Sequence, residues 1–477
     1  MTAAVTDKVA LAGFRRIVGP DAVLTAPDVV APFLTDHREL YQGAALAVLR
    51  PGSVDEVSQL LAFCNGTHIG VVPQGGNTGY CGGATPDESG QQVVLSLARL
   101  ARLRSIDATN YSMVAEAGCI LANLQREAEA VDRYFPLSLG SEGSCQIGGN
   151  LGTNAGGLNV VRYGMTRDLV LGLEVVLADG RVLSSLGELR KDNTGYDLKA
   201  LFVGAEGTLG VITAASLKLF PKPRAIATAF VAVRSVAAAV DLLNLLREAS
   251  GDRVSSFELI PHVAIDLTTR HISGVSQPLA GEYPWCVLCE LRSARAADDL
   301  DAMLEDALRE AMDGGLLDDA ALAQNERQRA AFWRLRESIP EAQRREGASL
   351  KHDIALPIGA LARFVDEASG WITAHLPEAV LVAYGHVGDG NLHFNVNARA
   401  GTDPLHLVAR ADEVQRVVHD LVASYGGSIS AEHGIGRLKV DELARYASPV
   451  KLELMRAIKR ALDPNGILNP GKVLHGP

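Results

Sequence analysis

A chain of 477 residues, 47% of them hydrophobic, is too long for one hydrophobic core and apolar enough to fill two or more. Its formal net charge is -11, and acidic and basic residues are interspersed, which excludes the basic stripe of a nucleic-acid-binding protein. No apolar stretch approaches the roughly 18 residues of a membrane span. Met1–Val18 lacks the apolar core of a secretory signal, so we expect a cytoplasmic protein.

The first part of the chain predicts an α+β domain. In "RPGSVDEVSQLLAFCN", Ser53 followed by Glu56 is typical of a capping box at the start of a helix. Alternating or apolar runs then predict strands and a further helix. The strands are "IGVVPQGG", "QVVLSL", "YSMVAEAG" and "LVLGLEVVLADGRVL", the last a hairpin turning at Asp179-Gly180, and the helix is "LANLQREAEAVDRY".

Glycine is densest in three loops of this domain, 75–83, 140–157 and 204–210. The first loop, "PQGGNTG", follows a strand directly, so backbone N–H groups can converge on an anion such as pyrophosphate. The second interleaves its glycines with Ser and Thr hydroxyls and an Asn amide, which donate and accept hydrogen bonds. Either loop alone could be an irregular surface loop, but together they predict a nucleotide cradle.

Two common nucleotide motifs do not describe this cradle. The chain contains no G-x-G-x-x-G, which disfavours a Rossmann dinucleotide site. "GILNPGKV" matches G-x-x-x-x-G-K, but Val473 stands where a P-loop needs Ser or Thr to bind magnesium. We therefore exclude a P-loop.

The proline-containing segment "LFPKPR" at 219–224 predicts a hinge, and the pattern of predicted elements changes after it. Strands such as "ATAFVAV" and "WCVLCEL" then alternate with amphipathic helices, which predicts a second α+β domain. Cys286 and Cys289 lie three residues apart in one of these strands and so face opposite ways, which disfavours a zinc or redox pair and favours reduced thiols. We place the domain boundaries at 1–222, 223–428 and 429–477.

The stretch "GHVGDGNLHFNV" at 385–396 predicts a hairpin. If Asp389-Gly390 is its two-residue turn, His386 pairs directly with His393, and their Cβ atoms lie about 4.5–5.5 Å apart. Each histidine alone could be an ordinary hydrogen-bonded imidazole. With Glu432 of "SAEHGIG" as a third ligand, however, the set suits zinc, manganese or iron(II).

The loops "PQGGNTG", "GGNLGTNAGG" and "GAEGTLGVIT", with the terminal "NPGK", together resemble the FAD-binding domain of the vanillyl-alcohol-oxidase-type flavoproteins. The resemblance implies an α+β fold with a two-part FAD-binding domain, a substrate or cap domain with an antiparallel sheet, and a C-terminal helical segment returning to the FAD. The implied FAD contacts are Pro73, Gln74, Gly75, Gly76, Asn77, Thr78, Gly79, Leu139, Gly140, Ser144, Ile147, Gly148, Gly149, Thr153, Asn154, Gly156, Gly157, Gly207, Gly210, Ile212 and Asn469.

The mode of FAD attachment also follows from the resemblance. Some relatives carry a histidine in the first loop as the point of flavin attachment. Asn77 and Thr78 occupy the centre of that loop here, so we expect non-covalent FAD. Cys81 and Cys145 lie nearby in sequence and leave a thiol attachment open.

"GHVGDGNLH" and "EHGIG" resemble the D-2-hydroxy-acid dehydrogenase branch of these flavoproteins, and the D-2-hydroxyglutarate dehydrogenases most of all. The resemblance implies a divalent metal, zinc before manganese or iron, and a set of substrate contacts. The implied ligands are His386, His393 and Glu432, the general base is His433, which also touches substrate, and the other substrate contacts are Arg336, Lys351 and Asn395. Pro340 stands where some members have a hydroxyl residue, which removes one polar contact.

The implied reaction is oxidation of a D-2-hydroxy acid, D-2-hydroxyglutarate first, to the 2-oxo acid by hydride transfer to FAD, with His433 taking the hydroxyl proton. The sequence has no haem or iron–sulfur motif, so we expect an external acceptor: an electron-transfer flavoprotein, a quinone or a cytochrome. Helices of the second domain could supply a homodimer face.

Two groups of alternatives stay open. A D-lactate dehydrogenase or the flavin subunit of a glycolate oxidase carries similar motifs. From other classes, a metal-dependent hydrolase or a non-catalytic nucleotide-binding subunit would use the glycine loops for something other than FAD.

Overall fold

The computed structural model describes residues 6–476, which form two compact units. Unit 1 contains residues 6–156, 165–222 and 432–476, and unit 2 contains residues 157–164 and 223–431. Residues 1–5, the start of the segment predicted to lack a secretory signal, lie outside the described residues. Within 6–476, no helix is both long and apolar enough to cross a membrane.

The α-helices of the described residues are, in chain order, α1 (Asp7–Val18), α2 (Pro27–Leu34), α3 (Val54–Thr67), α4 (Leu121–Ala130), α5 (Ile147–Thr153), α6 (Val160–Tyr163), α7 (Lys199–Phe202), α8 (Val236–Ser250), α9 (His262–His271), α10 (Leu300–Asp313), α11 (Glu326–Glu337), α12 (Ile339–Glu346), α13 (Leu361–His375), α14 (Pro404–Ala409), α15 (Ala411–Ser424), α16 (Val440–Tyr446) and α17 (Pro449–Leu462).

The strands are β1 (Val23–Leu24), β2 (Ala47–Leu49), β3 (Gly70–Gln74), β4 (Gln92–Ser96), β5 (Leu103–Asp107), β6 (Ser112–Glu116), β7 (Arg133–Tyr134), β8 (Val170–Val176), β9 (Val182–Ser185), β10 (Val211–Lys218), β11 (Phe220–Pro221), β12 (Ala225–Val233), β13 (Val254–Pro261), β14 (Trp285–Ser293), β15 (Leu317–Leu322), β16 (Ser349–Leu350), β17 (Asp353–Ala355), β18 (Ala379–Tyr384) and β19 (Asn391–Ala398). Short 3-10 turns lie at Pro20–Ala22, Thr166–Leu169, Ile358–Ala360 and Val387–Asp389.

Unit 1 holds two larger sheets. The first has the order β1-β2-β4-β3, with β2, β4 and β3 parallel, and the second is antiparallel in the order β5-β6-β10-β8-β9. The predicted start of α3 is confirmed, because Ser53 Oγ accepts a hydrogen bond from the backbone N–H of Glu56. The Glu56 carboxylate accepts from Gly52 N rather than from the cap residue itself. The predicted hairpin is formed by β8 and β9, with Gly180 at φ 86° in its turn.

Unit 2 holds an antiparallel sheet in the order β13-β14-β12-β15, and a smaller one in which β19 pairs with β16, β17 and β18. Strand β14 contains Cys286 and Cys289, and burial raises the pKa of each thiol to about 12. All six cysteines lie within the described residues and are buried, and none of them forms a disulfide bond there. These two thiols are therefore core residues.

These two units differ from the predicted three-part division in two places. The predicted third segment, 429–477, is divided between the units, since residues 429–431 belong to unit 2 and residues from 432 onward belong to unit 1. The short segment 157–164 belongs to unit 2, although nothing in its composition indicates that the chain leaves unit 1 there. The predicted boundary at 222/223 coincides with a change of unit.

Candidate active site

The three glycine loops of unit 1 line one open cavity, whose empty volume, open solvent included, is about 970 Å³. Thirteen of the predicted FAD contacts line it: Pro73, Gln74, Gly75, Gly76, Asn77, Thr78, Gly79, Gly148, Gly149, Thr153, Gly207, Gly210 and Ile212. Eight others do not line it: Leu139, Gly140, Ser144, Ile147, Asn154, Gly156, Gly157 and Asn469. Cys81 and Cys145, which the sequence left open as points of thiol attachment, also line the cavity. Sequence reasoning did not single out the remaining lining residues apart from His433, which are Tyr80, Gly83, Ala84, Leu97, Ala117, Gln146, Asn150, Gly152, Glu206 and Val211.

Close backbone approach explains why glycine is needed in these loops. A Cβ atom on Gly76 would lie 2.3 Å from the backbone oxygen of Ser144, so the first and second loops touch main chain to main chain. A Cβ atom on Gly148 would lie 2.6 Å from Ala117 Cβ. Both distances are too short for any larger residue without movement of the backbone.

Gly76→Ala should therefore weaken FAD binding. The added methyl group has to push the two loops apart, and such overpacking typically costs about 1–3 kcal/mol, or about 10- to 100-fold in affinity if it falls on the bound state. The FAD-to-protein ratio after gel filtration measures the effect. Gly66→Ala on α3 is the control, because nothing lies within 4 Å of its Cβ position. Full FAD retention by the Gly76 variant would contradict this account of the loops.

Two buried polar atoms test whether the cavity fits a nucleotide. Gln146 Oε1 and Asn150 Oδ1 belong to residues that line it, and neither atom finds a hydrogen-bond partner among the described residues. A buried acceptor without a donor costs about 1–3 kcal/mol. The amino, hydroxyl and ring N–H groups of FAD are donors of the required kind, so the cavity fits the cofactor.

The loop that carries His433 is held against this cavity by other parts of unit 1. Glu206 accepts hydrogen bonds from the backbone N–H groups of Ile435 and Gly436, each at 2.7 Å. Burial raises the pKa of Glu206, although those two N–H groups lower it. The ring of Tyr80 packs edge-on against the His433 ring, with centroids 4.7 Å apart. His433 is therefore positioned at the cavity wall.

The predicted register of the histidine hairpin is wrong. In β18 and β19 it is Tyr384, not His386, that pairs with His393. The connection is longer than two residues because Val387–Asp389 forms a 3-10 turn and the Asp389 carboxylate accepts from Asn391 N. The rings of His386 and His393 nevertheless lie 5.4 Å apart at an interplanar angle of 77°. The histidines meet, but not through direct strand pairing.

A buried carboxylate lies behind His386. Glu258, on β13, is fully buried and sits 2.6 Å from His386 Nδ1 through its Oε1 atom. Its Oε2 atom accepts from Arg336 Nε and lies 2.7 Å from Arg336 Nη2. Burial raises the pKa of Glu258, but the charges of His386 and Arg336 outweigh it and lower this pKa to about 2. Arg336 is 5% exposed, so it is not a solvated surface charge.

Three further residues of unit 2 lie on β19 or near the strands that pair with it: Asp353, which was not predicted, and the predicted Asn395 and Lys351. Asp353 Oδ1 is 3.7 Å from His393 Nδ1, and Asp353 pairs with His393 across the β17–β19 ladder. Asn395 is buried and donates from Nδ2 to Gln343 Oε1 at 3.1 Å. Lys351 is exposed in the link between β16 and β17. Sequence reasoning missed Glu258 and Asp353, since no motif surrounds either residue.

Glu432 begins the last stretch of unit 1. A Cβ atom on Gly156 would lie 2.6 Å from Glu432 Oε1, so the absence of a side chain at Gly156 makes room for this carboxylate. The preceding residue, Ala431, belongs to unit 2 and donates from its backbone N–H to Asp353 O at 3.3 Å.

Comparison with known proteins gives matches along most of the chain. The family model of the FAD binding domain matches residues 45–185, and that of the FAD linked oxidases, C-terminal domain, matches residues 222–473. The mitochondrial D-2-hydroxyglutarate dehydrogenase of Arabidopsis thaliana is 39% identical over 97% of this chain and 80% of that protein. The Bos taurus protein of the same name is 42% identical over 97% of this chain and 83% of its own length.

A solved structure supports the fold. The crystal structure of p-cresol methylhydroxylase with substrate bound superposes with a TM-score of 0.75 at 19% identity, over 97% of this chain and 96% of that chain. The predicted α+β architecture, with an FAD-binding domain and a cap domain containing an antiparallel sheet, is confirmed.

The expected cytoplasmic location is wrong. Both relatives are named as mitochondrial proteins. The expectation rested on the lack of an apolar secretory core, but mitochondrial targeting segments are amphipathic and rich in arginine, so that observation does not bear on them.

Proposed function

Because the chain belongs to the FAD-linked oxidases and is an FAD-dependent D-2-hydroxy-acid dehydrogenase, we propose that it oxidises D-2-hydroxyglutarate to 2-oxoglutarate with the help of a divalent metal ion. One observation carries the proposal: in unit 2, the buried carboxylate of Glu258 brings a histidine suited to metal binding and an arginine suited to a carboxylate together. The names of the relatives supply the substrate.

The proposed metal ligands are His386, His393 and Glu432, with zinc as the first choice and manganese or iron as alternatives. Metal-binding histidines usually donate their second ring nitrogen to a carboxylate, which fixes the tautomer and the ring orientation. Glu258 stands in that position for His386, and Asp353 lies near Nδ1 of His393. The bond between Ala431 and Asp353 supports the third ligand, since Glu432 is the next residue in the chain.

The proposed substrate contacts are Arg336, Lys351 and Asn395. A dicarboxylate needs cations, and the guanidinium group binds a carboxylate with paired N–H donors. Arg336 is oriented for this by Glu258 on one side and by the ring of Tyr384, 4.8 Å from its Cζ atom. Pro340 supplies no hydroxyl group, so these three side chains and His433 are the proposed polar contacts of the substrate.

The chemistry divides between chain and cofactors. We propose that His433 takes the proton of the substrate hydroxyl, while Arg336 and Lys351 hold the carboxylates in place. FAD, when bound, supplies the acceptor for the hydride that leaves C2. A divalent ion, when bound, favours ionisation of the substrate hydroxyl. The fixed position of the His433 loop against Glu206 supports its role, because a general base must be within hydrogen-bond reach of its proton.

The remaining partners are also proposals. We place FAD in the unit 1 cavity without a covalent bond, because Asn77 and Thr78 occupy the centre of the first loop. Electrons then pass to an external acceptor, an electron-transfer flavoprotein or a quinone, since the sequence holds no motif for a second redox centre. Helices of unit 2 are the proposed face of a homodimer.

A panel of substrates tests the proposed function. D-2-hydroxyglutarate, L-2-hydroxyglutarate, D-malate, D-lactate and glycolate are mixed anaerobically with the enzyme, and bleaching of the flavin band is followed. We expect D-2-hydroxyglutarate to show the highest kcat/KM, about 10- to 100-fold above D-lactate, because D-lactate lacks the charge-assisted hydrogen bonds of the second carboxylate. A preference for D-lactate or glycolate would contradict the substrate assignment, and a protein that binds no FAD would contradict the cofactor.

A further inference from the structure

We infer that Glu258 is a positioning residue that couples the proposed metal site to the proposed site for the substrate carboxylate. The inference rests on the proposed function and adds to it, since Glu258 is neither a proposed metal ligand nor a proposed substrate contact. Its carboxylate holds His386 with one oxygen and Arg336 with the other. Binding at either place therefore acts on the same side chain.

The backbone places Glu258 for this task. Glu258 lies on β13 and pairs with Leu288 of β14, so its position in the sheet is fixed. The next residue, Leu259, exchanges two backbone hydrogen bonds with Gly385, at 2.8 and 3.0 Å. Gly385 directly precedes His386. The strand that carries the carboxylate is therefore bonded to the segment that carries the histidine.

The carboxylate divides its oxygens between its two partners. Oε1 lies 2.6 Å from His386 Nδ1, and Oε2 accepts from Arg336 at 2.7 Å. The side chain is fully buried, so water does not replace a partner that moves away. A shift of Arg336 toward a ligand must pull on Oε2, and the rigid carboxylate passes that shift to His386.

Aromatic contacts also link Arg336 to His386 by a second route, through Tyr384 and His393. The Tyr384 ring lies 4.8 Å from Arg336 Cζ and 5.1 Å from the His393 ring, which in turn lies 5.4 Å from the His386 ring. Both histidines and the arginine thus belong to one closed series of contacts, which Glu258 completes. We expect the coupling to be favourable, and since coupling between two binding sites is reciprocal, substrate should then tighten metal binding by the same factor by which metal tightens substrate binding.

A second buried glutamate of unit 2 offers a matched control. Glu290 on β14 is fully buried, like Glu258, and is also held by arginines, Arg292 and Arg329. Its other hydrogen bonds come from Trp333 and Thr228, and none of these partners is a proposed ligand or substrate contact. Removing its charge measures what the loss of any buried carboxylate does to this fold.

The test compares Glu258→Gln with Glu290→Gln in the full-length FAD-loaded protein. Zn²⁺ affinity is measured by competition with a chromophoric chelator, with and without saturating D-2-hydroxyglutarate, beside the FAD content and the Tm. We expect Glu258→Gln to keep its FAD, to bind Zn²⁺ about 10- to 100-fold more weakly, and to show a smaller gain in Zn²⁺ affinity on addition of substrate than the wild type shows, since only the direct interaction of the ion with the substrate hydroxyl is left. Glu290→Gln should lower the Tm and leave Zn²⁺ affinity and its substrate dependence at the wild-type values.

The outcomes separate this inference from the proposed function. A wild-type protein that binds no Zn²⁺ would overturn the metal proposal and this inference with it. A wild type that binds Zn²⁺ while Glu258→Gln binds it equally well would overturn the inference alone, and so would equal losses in both variants. If Glu258→Gln does not fold, Glu258→Asp takes its place, because it keeps the charge but is one methylene too short to hold both partners.

Discussion

His393→Ala should abolish metal binding and lower turnover by about 10³-fold or more, while FAD stays bound. The imidazole is one of three proposed ligands, and a metal that polarises the substrate oxygen supplies several kcal/mol of transition-state stabilisation. FAD should be retained because the cavity that fits it is lined by residues of unit 1, whereas His393 belongs to unit 2. Metal analysis, flavin absorbance and steady-state rates with D-2-hydroxyglutarate measure the three quantities.

An exposed histidine of the same unit provides the control. His375 ends α13, stacks on Trp371 and bonds to a backbone oxygen of its own helix, so His375→Ala should keep both metal and activity. Wild-type turnover by a metal-free His393→Ala protein would contradict the metal proposal.

His433→Gln should retain FAD and metal but slow the reduction of the flavin by substrate about 10²- to 10⁴-fold, the usual contribution of a general base. Glutamine keeps a polar side chain of similar length beside Tyr80 but does not take up a proton. The measurement is single-turnover anaerobic reduction in a stopped-flow spectrometer, which separates the chemical step from the later transfer to an acceptor.

A second histidine that contacts Tyr80 supplies the control for this variant. His37 also contacts the ring of Tyr80, with ring centroids 5.5 Å apart, and does not line the cavity. His37→Gln should reduce its flavin at close to the wild-type rate. If His433→Gln also did so, the assignment of the base would be wrong.

The glycine loops were predictable because their function depends on local backbone. A strand followed directly by Gly75 and Gly76 already indicates main-chain contact with a ligand, and the structure shows both residues in the cavity wall. The capping residue Ser53 is equally local, since its partner Glu56 lies within one turn of the same helix.

The hairpin shows where local reasoning fails. Asp389-Gly390 has the composition of a two-residue turn, but the Asp389 carboxylate bonds to Asn391 N and a 3-10 turn forms instead. Several turn geometries are open to the same few residues, and the surrounding packing chooses among them. The pairing of His386 with His393 was therefore wrong, although their rings do meet.

Glu258 lay beyond sequence reasoning for a different reason. It is separated by 128 residues from His386 and by 78 from Arg336, and it lies in a fully buried strand without a motif. A buried charge is tolerated only because those distant partners compensate it, and a single sequence does not state which residues will meet. Glu206 does lie within a recognised motif, "GAEGTLGVIT". Its hydrogen bonds to the His433 loop, however, also join residues more than 200 positions apart.

Anaerobic reduction of the flavin by D-2-hydroxyglutarate, before and after metal removal, tests the central claim most directly. The metal is removed with a chelator, the chelator is dialysed away, and one equivalent of Zn²⁺ or Mn²⁺ is returned. We predict rapid bleaching of the flavin band in the untreated enzyme, a loss of about 10³-fold in rate without metal, and recovery when the ion is restored. Unchanged reduction by the metal-free enzyme, with FAD still bound, would contradict a metal-assisted dehydrogenase.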